Sequence, residues 1–125
     1  MDGSNYIKLE HLVYLLFFLD ENSNETMKYR VFINGKNFLI KENDNSVERL
    51  GFFTNVFIEA ESQYKAEHMA LQILRDDKEL KEIVINSQED LPILTVEEIC
   101  ELEDWPVGIS FPRTGLSLYP EEEEE

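Results

Sequence analysis

The stretch "MKYRVFINGKNFLIK", residues 27–41, constrains the fold more than any other part of the chain. Tyr29, Val31 and Ile33 alternate with Lys28, Arg30 and Phe32 at the two-residue period of a strand with one buried face. Asn34-Gly35 then offers the positive φ angles of a two-residue turn, and Phe38 to Ile40 reads as the returning strand. A further strand is predicted from Val47 to Ala60, after the polar loop "NDNS", with Gly51 as a bulge or bend.

Helical period follows. Ser62 is placed to cap, and Ala66, Met69, Ala70, Ile73 and Leu74 form one apolar stripe. A short second helical segment is expected around Leu80, Ile83 and Val84. "LPILTVEEICELE" has capping-box spacing at Thr95 and Glu98, but Leu94, Val96, Cys100 and Leu102 fit one strand face. A strand is preferred, because the sheet needs a returning element. The expected architecture is an α+β two-layer sandwich of (α)βββαβ order, with a mainly antiparallel sheet and one main helix on one face.

Three segments are expected: an apolar anchor over 1–26, the α+β domain over 27–103, and an extended Pro/aromatic segment with an acidic tail over 104–125. In the first, Leu12 to Leu19 are eight apolar residues in a row. An octet spans about 12 Å as a helix, whereas a bilayer core of about 30 Å needs roughly 20 apolar residues. Glu10 and His11 precede the run where a signal peptide would want positive charge. A helix over about 6–19, apolar all round, needs burial on every side, although a buried strand stays open. Its uses are packing in the core, self-association through Leu12, Leu15, Leu16 and Leu19, or an extension upstream of a start at Met27. Self-association would make a homodimer. The last segment carries Pro106, Pro112 and Pro120, which forbid a regular helix and favour extended conformations.

Charge narrows the partners. The formal charge is −16 and is unevenly spread: net −4 over 1–26, −3 over 27–96 and −9 over 97–125. No basic patch supports direct nucleic-acid binding, and the same field repels anionic lipid surfaces, so no membrane role is expected. Five self-repelling glutamates are expected to stay solvated and not to make the rigid surface a DNA mimic requires. A single cysteine, Cys100, excludes an internal disulfide framework and makes a reducing, cytoplasmic setting the default.

No catalytic signature stands out. His11, His68 and Cys100 lack the spacing of a zinc site, and Glu97, Glu101 and Glu103 lack that of a calcium loop, so neither metal nor cofactor is expected. Acidic neighbours should suppress the Cys100 thiolate, leaving it a small core residue.

The helix–three-strand–helix part resembles double-stranded-RNA-binding domains, but the matching helix start, "ESQYKAEHMA", lacks their basic grip. Three strands, a helix and a final strand over 27–103 are similar in order to HicB-type antitoxins, which sit against a small RNase toxin. "VFIEAESQYKAEHMALQIL" with "TGLSLYPEE" looks like uncharacterised small bacterial α+β domains. The expected role is therefore a non-enzymatic interaction module for a protein partner, with a basic one favoured, as in immunity or antitoxin proteins. Trp105, Phe111 and Tyr119 would anchor it, and Glu121, Glu122 and Glu123 would steer association. The alternative is a small-molecule-binding or enzymatic domain with a pocket between sheet and helix, lined by Tyr29, Arg30, Tyr64, His68 and Arg75.

Overall fold

The computed structural model describes residues 25–121. Leu12, Leu15, Leu16, Leu19, Glu122 and Glu123 lie outside them, as does the expected 6–19 helix. Two long strands, β1 (Met27–Lys41) and β2 (Val47–Ala60), lead into helices α1 (Gln63–Arg75) and α2 (Lys78–Ile83). Strands β3 (Ile93–Leu102) and β4 (Ser117–Pro120) follow. The sheet is antiparallel in the order β3-β1-β2-β4, and α1 packs on one face, so the chain is a small α+β domain.

The structure corrects the turn expected at Asn34-Gly35. Gly35 sits inside β1 opposite Phe52, and the register shifts between Gly35 and Phe38, where Lys36 and Asn37 form a β-bulge. Asn37 has φ 63°, a left-handed conformation that asparagine tolerates better than most residues. The bulge changes the phase of alternation. Tyr29, Val31 and Ile33 face the helix before it, and Phe38 and Ile40 after it. The reversal comes instead at 42–46, where Asp44 accepts from Ser46 N at 3.0 Å and Asn45 has φ 68°. A hairpin folded at Asn34-Gly35 would leave only the short Phe38–Lys41 arm to pair. The longer one pairs β1 with β2 from Met27↔Ala60 to Lys41↔Val47. This merger removes one strand from the order that carried the antitoxin likeness, and β4 adds another at the far edge.

Ser62 caps α1 by accepting from Lys65 N, and Ala66, Ala70 and Leu74 press onto the sheet. The two alanines let α1 lie close over Val31, Ile33, Phe52, Val56 and Ile58, which form the core with it. A second bulge, between Phe32 and Ile33 of β1, leaves Glu97 of β3 without a partner. It splits the strand face predicted for β3: Leu94, Val96 and Ile99 pack toward the core, while Cys100 lies beside Arg30 on the opposite face.

Candidate functional site

The sheet face opposite α1 collects the side chains out of phase with the core: Lys28, Arg30, Phe32 and Asn34 from β1, and Phe53, Asn55 and Phe57 from β2. At one end, Trp105 and Phe111 fold over Phe57, their ring centroids each 6.0 Å from it and 5.1 Å from one another, all edge to face. Lys28 Nζ lies 5.8 Å from the Trp105 ring centroid, a cation–π contact. Phe57 is thereby buried, while Phe111 stays 56% exposed.

At the other end Phe32 and Phe53 stack at 5.3 Å, and Tyr119 leans on Phe53 at the same distance. Tyr119 reaches there because Gly51 has no side chain; a Cβ would lie 2.2 Å from Tyr119 Cζ. Its hydroxyl accepts from the buried Asn34 Nδ2 at 2.8 Å. Phe53 remains 36% exposed.

Arg30 lies between the two aromatic groups. Its guanidinium donates to Asn55 Oδ1 at 2.9 Å, Glu98 Oε1 at 2.6 Å and Cys100 Sγ at 3.2 Å. The Glu98 bond raises its pKa above the ordinary guanidinium value, outweighing burial, which acts to lower it. Cys100 is half-buried in this polar centre rather than in the core.

The C-terminal segment covers the outer edge of β2. Phe57 N donates to Pro112 O at 2.9 Å, Thr114 N to Asn55 O at 2.9 Å, and β4 then pairs with Leu50 to Phe53. Arg113 fixes it to the helical layer through Asp77, at 2.6 Å, and Glu79, at 2.7 Å. Glu121 Oε2 accepts from Asn37 N at 2.7 Å, so this carboxylate closes the bulge.

The two expected sets of residues fare differently. Trp105 and Phe111 come together, and Tyr119 joins the same face at its far end. The five residues of the alternative pocket do not converge. Tyr29 is 1% exposed in the core, where burial first and Glu101 second raise its pKa, while Arg30 points to the opposite face. Tyr64 and His68 meet edge to face at 4.6 Å on an exposed side of α1, and Arg75 is exposed at its end. Core side chains fill the space between sheet and helix. A depression of about 480 Å³ lies instead beside the end of α1, lined by Met69, Gln72, Ile73, Asp76, Asp77 and Pro112. Among the described residues, no group of three or more His, Cys, Asp or Glu could hold a metal ion. No helix among them is long and apolar enough to cross a membrane.

Phe32, Phe53 and Phe57 were missed as site residues. Their signal was present in phase: each occupies the register opposite to Val31, Ile33, Phe52, Val56 and Ile58, so both faces of β1 and β2 carry large apolar side chains. The fold and this face define a small α+β domain with an open aromatic sheet surface. No known protein family, curated protein or solved structure matches the chain.

Proposed function

We propose that the chain is a non-enzymatic interaction module that binds a basic protein partner, with an immunity- or antitoxin-like role as its concrete form. The observation that supports it best is the open sheet face, where Phe53 at one end and Phe111, against Trp105, at the other keep about a third and a half of their surface in water. Aromatic anchors of this kind dominate interface energies, because they bury large rigid areas at small entropic cost. The charge of −16 would speed the encounter with a cationic surface.

The test is capture with the N-terminally tagged chain from nuclease-treated lysate of its own source, at low and high salt. A stoichiometric basic partner is expected, released by salt and lost in the Phe53→Ala/Phe111→Ala variant. Absence of any partner at both salts, or capture indifferent to the variant, refutes the reading.

A further inference from the structure

The two edges of the sheet are finished differently. Along β2, the 112–114 segment and β4 take up the outer backbone groups. Along β3, no strand among the described residues pairs with the outer side. A ten-residue strand with free backbone donors and acceptors invites another strand.

Its side chains select which one. Glu97, Glu98 and Glu101 lie within β3, and Glu103 and Asp104 follow, with no cation among them. Arg30 neutralises Glu98 alone. Glu101 stands level with core-facing Tyr29 and Glu98 beside Arg30 on the open face, so the acidity flanks the edge on both sides. A second copy fits badly: antiparallel pairing centred on β3 would set Glu97 against Glu98 of the copy twice, and like charges directly opposite destabilise a ladder. Residues 1–24 fit no better, with Lys8 the one cation against four acids.

We infer that the outer edge of β3 is a strand-addition site for an extended basic segment of another protein. This inference rests on the proposed interaction role and specifies its mode.

The probe is a fluorescein-labelled decapeptide of alternating lysine and threonine, with a twin of equal charge whose backbone amides are all N-methylated. The full chain should bind the first about tenfold or more tighter than the twin, because the twin has no backbone N–H to donate to the edge and its N-methyl groups crowd the ladder. Hydrogen exchange should show new protection in β3. The Glu97→Lys/Glu101→Lys variant, its fold checked by circular dichroism, should lose about tenfold or more in affinity through like-charge repulsion. Equal binding of both peptides, or protection elsewhere than β3, overturns the inference. So does a dimer in sedimentation whose β3 amides are already protected without peptide. If lysate capture needs Phe53 and Phe111 but ignores the edge variant, the edge inference alone fails. If the peptide binds β3 while no partner is captured, the interaction reading alone fails.

Discussion

Arg113 joins the C-terminal segment to the helical layer, and its removal tests whether that segment belongs to the cooperative fold. Its guanidinium donates through Nε to Asp77 Oδ2 at 2.6 Å and through Nη2 to Asp77 Oδ1 at 3.2 Å, and the two side chains are only 10% and 13% exposed. Two unit charges centred about 4 Å apart attract by about 4 kcal/mol at an effective dielectric of about 20. Breaking a buried pair from one side costs about 3–5 kcal/mol, because the remaining charge is left desolvated. Glu79, at 62% exposure, adds little. Arg113→Met should therefore cost about 3 kcal/mol, a large share of the roughly 5–15 kcal/mol expected of a domain. Asp77→Asn should cost less, about 2 kcal/mol, because an amide oxygen can still accept from Leu80 N and keep the α2 cap. Urea unfolding of both variants and the double variant gives the coupling, expected at about 2 kcal/mol. Arg113 holds the Asp77 carboxyl below its usual range, with the Leu80 N–H a lesser contributor. The unfolded chain thus binds the extra proton first as pH falls, and this stability is lost as pH drops through the folded pKa of Asp77. The gap between wild type and Arg113→Met should be widest near neutral pH and close as pH falls through the range in which Asp77 takes up its proton, first in the variant and last in the wild type. A coupling under about 0.5 kcal/mol, the size of an exposed pair, or a gap that widens in acid, would refute this reasoning.

Two further substitutions separate the sheet's local devices. Gly51→Ala should cost about 1–3 kcal/mol by overpacking, since a Cβ there would meet the Tyr119 ring at 2.2–2.5 Å. Faster hydrogen exchange confined to β4 would show that Tyr119 swings away, and a Gly51→Ala/Tyr119→Ala double variant should recover part of the loss. At Asn37, alanine should cost about 1–2 kcal/mol more than glycine, because only glycine accepts the left-handed backbone freely. Both variants lose the Asn37 side-chain bonds to Asp90 Oδ1 and Leu91 O, so the difference in their thermal unfolding isolates the backbone.

The asparagine–glycine pair shows where sequence reading met its limit. Alternation located the strands, and the Ala66–Leu74 spacing with its Ser62 cap located α1, because those signals are local. A bulge leaves the same local trace as a turn: a change of phase beside Asn and Gly. Only the partner tells them apart, and that partner, β2, lies beyond the next loop. The Phe52 ring, filling the space over Gly35, marks the glycine as a packing site instead of a corner. The bulge at Glu97 had the same effect on β3, moving Cys100 from the expected core face to the Arg30 side.

The open face has a different origin. A strand bearing apolar residues in both registers can bury only one of them against a single helix. Tyr29, Val31, Ile33, Phe52, Val56 and Ile58 take that side, so Phe32, Phe53 and Phe57 must face away from α1. Among the described residues Trp105 and Phe111 cover Phe57, whereas the aromatic contacts of Phe32 and Phe53 are with each other and with Tyr119. One helix cannot cover a sheet whose two long strands carry large apolar side chains on both faces. What the described residues leave uncovered is the surface on which the proposed partner would sit.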